Sequence, residues 1–309
     1  MNLKVLIVCS VSSGKIAPFI QEQAKALTEL GVIINYFLIK QKGWKGYLKS
    51  RENLIVKINE FSPDILHAHY GLSCLLANLQ RKRPVISTFH GSDINNCESR
   101  FFSQLAILLS KQSIFVSSKL KSLVVCKSND CVIPCGVDFD VFIPVNKIEA
   151  RSKMGFKTED KLILFSNAFT IGVKNYSLAK EATEKLPLVH LIELKDYSRE
   201  EVCLLLNAAD VALMTSFTEG SPQFIKEAMA CNCPIVSTDV GDIRQIIGGT
   251  DGCYISSYEV LNVKEKLEQA LSFGQRTNGR QKVLNYDNKV IANKIIEIYK
   301  RCVDGSISR

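Results

Sequence analysis

The chain has 309 residues, 46% of them hydrophobic and 23% charged, which is typical of a globular protein with about two domains. No apolar run approaches the roughly 20 residues needed to span a bilayer, so a membrane-spanning class is excluded. The net charge of +8 resides in residues 1–147, with 18 basic and 10 acidic residues, which indicates an anionic partner for that half.

The first half of the chain alternates short apolar runs with longer amphipathic runs, a pattern typical of a parallel sheet flanked by helices. Helices are predicted over residues 16–30, ended by Gly31 in the left-handed conformation, and over residues 53–60. The first apolar run is too short for a signal-peptide core and is interpreted as a buried strand. The predicted strands are residues 5–9, 32–39, 65–68, 85–89, 114–117 and 131–134.

The pattern breaks after residue 144, and we predict a domain boundary near residue 145. A second alternating series follows, and the last segment, residues 287–302, has helical periodicity. Successive α/β domains bind ligands at the carboxyl ends of their strands. The predicted strands are residues 161–166, 190–193, 211–215 and 235–238, and the predicted helices are residues 175–185, 199–208 and 222–230.

Eleven cysteines are scattered without a CxxC pair or an accompanying histidine cluster. A disulfide framework or a structural zinc site is therefore not expected, and the pattern favours reduced thiols in a cytosolic protein.

The most informative motif begins where a predicted strand ends at Thr215. Ser221 suits the N-cap of the next helix and Pro222 its first position. The free N–H groups and positive dipole end of such a helix make an anion site that suits phosphates. Glu219 and Glu227 stand eight residues apart on either side of it, and each carboxylate can accept hydrogen bonds from sugar hydroxyls.

Two further residues suit a diphosphate. Lys174 follows the strand at residues 161–166 and can reach a diphosphate as a mobile point charge. Gly14 lies in Ser-Val-Ser-Ser-Gly-Lys, residues 10–15, after the first strand. This loop is neither a GxGxxG nor a Walker sequence, but its glycine permits close approach of the backbone to a ligand.

Histidines cluster at strand ends of the first half. His90 follows the strand at residues 85–89, and Asp93 can either orient it or cap the next helix, which we favour. His67 and His69 share one face of a predicted strand and could form half of a metal site, but a third ligand is not evident.

Residues 40–51 interleave basic residues with Trp44, Tyr47 and Leu48. This composition suits contact with an anionic membrane surface and also occurs on nucleic-acid surfaces or as a plain solvated face. We favour the membrane over nucleic acid.

The run from Glu219 to Glu227, together with residues 233–242, resembles the E-x7-E region of retaining family 4 (group 1) glycosyltransferases. The resemblance implies an α/β protein with the GT-B fold, which has two facing Rossmann-like domains. Residues 1–145 would bind the acceptor and residues 146–286 the nucleotide sugar. The helical segment, residues 287–309, would cross back onto the first domain.

The same resemblance assigns roles to single residues. It implies that Glu227 binds the ribose hydroxyls and that Glu219 faces the donor sugar with the backbone of Gly220, Ser221, Pro222 and Gln223. Lys174 and Gly14 would lie at the diphosphate and His90 at the donor sugar, with His90, Glu219 and Lys174 as the catalytic residues. His69 and Asp93 would lie on the acceptor side. Members usually also carry an arginine in the Lys174 loop, but residues 162–174 contain none.

The implied reaction is α-glycosyl transfer with retention, from a UDP- or GDP-sugar to a glycan or lipid-linked acceptor in polysaccharide or glycolipid biosynthesis. Attack on the front face of the sugar, assisted by a donor phosphate oxygen, is expected. No DxD-type aspartate pair stands at a strand end, so neither a metal nor a cofactor is expected. The expected location is cytoplasmic, including the inner face of the membrane. A nucleotide-sugar 2-epimerase, a phosphorylase and a non-catalytic sugar-nucleotide-binding subunit are the alternatives.

Overall fold

The computed structural model describes residues 3–11 and 14–305. The chain forms two compact units, residues 1–136 with 288–309, and residues 137–287. The second unit thus begins before residue 145. The reason is that Phe139 and Phe142 are buried in the second core, and the N–H of Val137 donates to the carbonyl of Tyr286 at 2.8 Å.

The first unit is built on a six-stranded parallel sheet with the strand order β2-β1-β3-β4-β5-β6. Its strands are β1 (Lys4–Ser10), β2 (Ile33–Ile39), β3 (Ile65–His69), β4 (Val85–Phe89), β5 (Gln112–Phe115) and β6 (Cys131–Val132). Its helices are α1 (Pro18–Glu29), α2 (Gly43–Lys49), α3 (Arg51–Phe61), α4 (Gly71–Asn78), α5 (Ser92–Asn95), α6 (Cys97–Leu109) and α7 (Ser118–Ser122).

Local sequence explains several of these elements. The interior of β1, Val5 to Cys9, is fully buried, as expected for a central strand covered on both faces. Helix α1 ends just before Gly31, whose φ of +88° favours glycine. Helix α6 begins where the side chain of Asn96 accepts hydrogen bonds from the N–H groups of Glu98 and Ser99.

The second unit contains a five-stranded parallel sheet with the order β11-β10-β9-β7-β8. The strands are β7 (Lys161–Phe165), β8 (Val189–Ile192), β9 (Val211–Met214), β10 (Ile235–Thr238) and β11 (Cys253–Ser256). The helices are α8 (Lys147–Met154), α9 (Tyr176–Thr183), α10 (Arg199–Ala208), α11 (Gln223–Ala230), α12 (Ile243–Ile247), α13 (Val260–Phe273) and α14 (Gly279–Lys282).

The last helix, α15 (Asn288–Val303), returns to the first unit, as the family resemblance predicts. Ile291, Ile295 and Ile298 are buried in the core that contains β1 and α1. Tyr299 is fully buried, and its hydroxyl lies 2.5 Å from Nδ1 of His67 on β3. The helix is therefore an integral part of the first core.

Over the described residues, no helix combines the length and the apolar character that a membrane span requires.

Candidate active site

Two loops of the second unit, one after β7 and one after β9, are joined by hydrogen bonds. The hydroxyl of Thr215 donates to the carbonyls of Lys174 and Asn175, at 3.0 and 2.9 Å. The N–H of Phe217 donates to the carbonyl of Val173 at 2.9 Å. Since β7 and β9 are neighbours in the sheet, both loops lie at the carboxyl edge where such sheets bind ligands.

Lys174 and Glu219, which the sequence predicts for one site, form an ion pair. The Nζ atom of Lys174 lies 2.6 Å from Oε1 of Glu219, and the two side chains are 17% and 16% exposed. A charge-assisted hydrogen bond of this kind is strong and directional. The pair therefore places a cation and a carboxylate, both still accessible, in and beside the loop of residues 215–222 between β9 and α11, which contains Gly220 and is called the glycine loop below.

The glycine loop packs closely against the loop that follows β10. A Cβ atom on Gly241 would lie 2.8 Å from the carbonyl oxygen of Gly220, and Gly241 has a φ of +61°. The hydroxyl of Ser221 donates to Oδ2 of Asp242 at 2.7 Å. Burial raises the pKa of Asp242, while Lys226 and the Ser221 hydroxyl act in the opposite direction. The two loops thus hold one another in place.

Helix α11 begins one residue later than the sequence predicts. Pro222 occupies the N-cap position with an extended ψ of 120°, and Gln223 is the first helical residue. The prediction that Ser221 caps this helix is wrong, because its hydroxyl bonds Asp242 instead. Gly220, Ser221 and Pro222 nevertheless precede the helix directly, so its positive dipole end faces their loop.

Glu227 is paired with an arginine that sequence reasoning missed. Its carboxylate, only 3% exposed, accepts from the Arg199 guanidinium at 2.5 Å. The guanidinium carbon lies 4.6 Å from the centre of the Phe142 ring. Arg199 is the first residue of α10, whose start is fixed by a capping box between Ser198 and Glu201. The capping motif is the only feature of the sequence that singles out the position of Arg199, and it predicts where a helix starts, not that a binding site lies there.

Lys226, the neighbour of Glu227, was also missed. Its side chain is fully buried, and its Nζ atom lies 5.6 Å from the centre of the Tyr286 ring. A buried lysine is costly unless its charge is compensated. Lys226 lies close enough to Asp242 to oppose the rise of that residue's pKa. Its charge thus acts on Asp242, the residue that accepts a hydrogen bond from Ser221.

In the first unit, His90 lies within a cluster of aromatic side chains after β4. Its Nε2 atom is 3.0 Å from Nδ1 of His69, and its Nδ1 atom is 3.5 Å from Sγ of Cys135. The rings of Phe19 and Tyr70 pack at 4.8 and 4.7 Å from it. His69 itself is fully buried, so it contacts His90 and does not line an open surface.

Asp93 fixes the backbone of the His90 turn. Its Oδ1 atom accepts from the N–H groups of His90 and Gly91, at 3.1 and 2.8 Å. Burial raises the pKa of Asp93 to about 6, although these backbone hydrogen bonds act in the opposite direction. The prediction that Asp93 caps the next helix is wrong, since Asp93 lies inside α5, whose N-cap position is Gly91, and Asn96 caps α6.

His67 has both ring nitrogens engaged in hydrogen bonds. One lies 2.5 Å from the hydroxyl of Tyr299 and the other 2.7 Å from that of Thr88. Burial lowers the pKa of His67 to about 3, so the ring is neutral at physiological pH. Among the described residues, no three or more histidine, cysteine, aspartate or glutamate side chains are grouped to hold a metal ion.

Gly14 adopts a φ of +86°, and its N–H donates to the carbonyl of Val11 at 2.7 Å. A positive φ of this size is a backbone conformation that glycine favours. Ser12 and Ser13 of the same predicted loop lie outside the described residues.

Both halves of the chain match models of glycosyltransferase families. Residues 4–141 match "Glycosyltransferase Family 4", and residues 169–272 match "Glycosyl transferases group 1". The D-inositol 3-phosphate glycosyltransferase of Mycolicibacterium smegmatis is 22% identical over 67% of this chain and 59% of its own length. An N,N'-diacetylbacillosaminyl-diphospho-undecaprenol alpha-1,3-N-acetylgalactosaminyltransferase of Campylobacter jejuni is 28% identical over 34% of this chain and 30% of its own. The chain spans about three fifths of the length of the first curated relatives that it matches.

Solved glycosyltransferase structures share the fold along almost the whole chain. Sucrose-phosphate synthase from Thermosynechococcus elongatus superposes with a TM-score of 0.84 at 16% identity, covering 99% of this chain and 100% of that one. Anabaena Alr3699/HepE in complex with UDP gives a TM-score of 0.76 at 15% identity, covering 96% and 100%. The fold is therefore GT-B, and with both halves matched by glycosyltransferase models, the chain belongs to the family 4, group 1 glycosyltransferases.

Proposed function

We propose that the protein is a retaining glycosyltransferase that transfers a sugar from a nucleotide diphosphate donor to a glycan or lipid-linked acceptor. The observation that carries the proposal is the Lys174–Glu219 pair, held beside the glycine loop at the carboxyl ends of β7 and β9. Positive charge, a helix N-terminus and a carboxylate that can accept hydrogen bonds from sugar hydroxyls thus lie at one edge of one sheet, which supports the proposal.

In this proposal, the second unit binds the donor. Lys174 and the N-terminus of α11 stabilise the negative charge that grows on the leaving diphosphate. Glu219 and the backbone of residues 220–223 contact the donor sugar. Glu227 binds the ribose hydroxyls, and Arg199 holds its carboxylate in one orientation through the 2.5 Å contact. A donor phosphate oxygen assists deprotonation of the attacking hydroxyl, so the proposal requires neither a protein nucleophile nor a metal.

Two relatives narrow the substrate classes to be tried first. A structure of the same fold binds UDP, and a curated relative is named for transfer to a diphospho-undecaprenol acceptor. We therefore propose a UDP-sugar as the first donor to test, with a GDP-sugar next. A polyprenyl diphosphate-linked saccharide is the first acceptor, and a soluble glycan is the second.

The direct test is turnover. The purified protein is incubated with each nucleotide sugar and a polyprenyl diphosphate-linked saccharide, and released nucleotide and product anomer are measured by NMR. We expect an α-linked product. Lys174→Ala should lower kcat much more than it weakens donor binding, because the leaving-group charge is largest in the transition state. Lys180→Ala, at an exposed lysine of the same unit, is the matched control.

Two outcomes would replace the proposal with one of its alternatives. Interconversion of donor epimers without any acceptor indicates a nucleotide-sugar 2-epimerase. Donor binding without turnover, across the full acceptor panel, indicates a sugar-nucleotide-binding subunit.

We also propose that residues 40–51 contact an anionic membrane at the cytoplasmic face. Helix α2 leaves Trp44 and Leu48 49% and 45% exposed, and the Nζ atom of Lys45 lies 5.5 Å from the Trp44 ring. Exposed aromatic and aliphatic groups among lysines suit the interface of an anionic bilayer. Replacing Lys42, Lys45 and Lys49 by glutamine should reduce co-sedimentation with phosphatidylglycerol vesicles at low salt. Equal sedimentation of the variant would remove this segment from the contact.

A further inference from the structure

A large basic cavity lies in the first unit, away from the residues described above. Its volume is about 1030 Å³. Six cationic side chains contribute to its wall, and no carboxylate of the described residues does. The six are Arg81, Lys82, Arg83, Lys111, Lys127 and Arg301.

The cavity is at the opposite edge of the sheet from His90. Pro84 and Lys111, which line it, directly precede β4 and β5. His90 follows the other end of β4, a strand of five residues that spans about 17 Å. The amino ends of parallel strands are not where this fold class places its substrate. The cavity is therefore separate from the candidate active site.

The positive charges converge within the cavity. Burial raises the pKa of the Cys302 thiol to about 11, while Lys111, Arg301 and Lys127 together act in the opposite direction. Burial also lowers the pKa of Lys127, Asp130 and Cys302 act in the opposite direction, and the charge on Lys111 adds to the lowering. The neighbouring Asp130 directs its carboxylate to the backbone, accepting from the N–H groups of Ser113 and Lys127 at 2.7 and 2.8 Å. The concentration of positive charge favours an anionic ligand.

An exposed apolar surface adjoins the same cavity. Phe101, Leu105 and Leu108 follow one another at i, i+4 and i+7 on α6, and are 64%, 38% and 58% exposed. Leu108 and Leu109 also line the cavity. Beside this helix, Val125 is 70% exposed, and its backbone is held by two 2.9 Å hydrogen bonds to the side chain of Gln104.

We propose that this cavity binds the phosphate headgroup of an anionic membrane lipid, with Phe101, Leu105, Leu108 and Val125 against the bilayer surface. Cationic side chains next to an exposed apolar helix face match both parts of such a lipid. A soluble phosphate compound would engage the cations but leave the apolar face in water. The contiguity of the two surfaces at Leu108 and Leu109 therefore favours a lipid.

This inference depends neither on glycosyl transfer nor on residues 40–51. It is tested on the 309-residue protein by flotation with phosphatidylcholine vesicles that do or do not contain phosphatidylglycerol. The cavity variant is Arg81→Gln, Arg83→Gln and Arg301→Gln, all at exposed positions. At roughly 1 kcal/mol per basic residue near an anionic surface, it should bind anionic vesicles roughly a hundredfold more weakly. The matched control removes three exposed lysines of the second unit, Lys157→Gln, Lys185→Gln and Lys195→Gln, and should bind as the unchanged protein does.

A second pair of variants separates a lipid from a soluble anion. Phe101→Ser with Leu108→Ser should also weaken vesicle binding, whereas Leu188→Ser with Leu261→Ser, at residues 88% and 70% exposed in the second unit, should not. Inorganic pyrophosphate should compete only weakly. Unchanged vesicle binding by the cavity variant would overturn the proposal. The proposal would also be overturned if the unchanged protein bound pyrophosphate, the cavity variant did not, and the Phe101/Leu108 variant still bound vesicles normally. Circular dichroism and donor binding report whether each variant remains folded. Vesicle binding does not depend on glycosyl transfer, so a failure of the proposed transferase activity would leave the vesicle result unaffected.

Discussion

At the scale of single residues, the Arg199–Glu227 pair is consistent with the ribose-binding role proposed for this nearly buried carboxylate. The negative charge of Glu227 is compensated by the Arg199 guanidinium. A hydrogen bond between charged groups is about twice as strong as one between neutral groups. Arg199 also packs against Phe142, so its guanidinium cannot move freely. One oxygen of Glu227 is therefore held by Arg199, and the carboxylate has further capacity to accept ribose hydroxyls.

Glu227→Gln should accordingly weaken donor binding. Two hydrogen bonds from hydroxyls, at roughly 0.5–1.5 kcal/mol each, imply a loss of about 1–3 kcal/mol, or roughly tenfold to a hundredfold in Kd. Isothermal titration calorimetry with the best donor measures this. Glu200→Gln, at an exposed neighbour of Arg199, controls for the removal of one negative charge. An unchanged donor Kd in Glu227→Gln would exclude Glu227 from the site.

His67 should make the protein sensitive to acid. Burial lowers its pKa to about 3 in the folded protein, against about 6.5 when unfolded, and the pKa of His69 falls in the same direction. Between these values the unfolded state binds more protons, so the free energy of unfolding decreases as the pH falls below about 6.5. The slope is up to about 1.4 kcal/mol per pH unit for each histidine.

Urea unfolding between pH 7 and pH 5 measures this slope. His67→Asn should show a shallower pH dependence than the unchanged protein, even though it is less stable at pH 7. His190→Asn, at an exposed histidine, should keep the original slope. Identical slopes in all three proteins would show that His67 does not carry the effect.

At the scale of elements, the glycine loop and the loop after β10 act as one structure. We expect Gly241→Ala to disturb both, because its Cβ would lie 2.8 Å from the Gly220 carbonyl and because a φ of +61° strains an alanine. The expected cost is about 1–3 kcal/mol in the free energy of unfolding, together with weaker donor binding. Gly172→Ala, with nothing within 4 Å of its added Cβ, is the control. Equal donor affinity in both variants would show that this packing does not shape the site.

The elements that could be predicted from the sequence are those with clear periodicity or clear ends. β4, α10 and β10 were predicted to the residue, because each has an apolar run or amphipathic face bounded by polar or turn residues. Helix α8 was missed because only Ala150 and Arg151 of it are buried. Arg151 anchors it by donating to the carbonyl of Ala208 and to Asp210, a tertiary interaction with no periodic signal.

The candidate site was predictable only in part for a similar reason. Lys174 and Glu219 both follow strands, so the parallel topology alone brings them to one edge. Arg199 meets Glu227 only because α10 packs beside α11, which the local sequence does not specify. The sequence predicts that His69 lies on the acceptor side. In the structure, β3 is a central strand that is buried on both faces, so His69 is buried whichever face its side chain takes.

At the scale of the whole molecule, charge and binding chemistry are divided between the two units. Residues 1–147 carry the excess positive charge and supply α2 and five of the six cations of the basic cavity, and the sixth, Arg301, lies on α15 of the same unit. The Lys174–Glu219 and Arg199–Glu227 pairs both lie in the second unit, which has its own core. Donor binding and contact with an anionic partner should therefore be separable by mutation.

This division predicts how ligands affect thermal unfolding. A nucleotide sugar that binds only the folded second unit stabilises it by about 2.7 kcal/mol at a concentration of 100 times Kd. For a unit of this size, each kcal/mol raises Tm by about 2–4 °C, so we expect a shift of about 5–10 °C. Thermal scans with UDP-, GDP-, ADP- and CDP-sugars should show this Tm shift for the sugars of one base. Hydrogen exchange with that donor should show protection of β9 and α11 without protection of β4. Lys174→Ala with Glu227→Gln should remove most of the shift, whereas Lys180→Ala with Glu200→Gln should keep it. Protection confined to the first unit, or a full shift in the Lys174/Glu227 variant, would mean that the donor does not bind where Lys174 and Glu227 lie. Equal shifts for all four bases would mean that the site does not select a base.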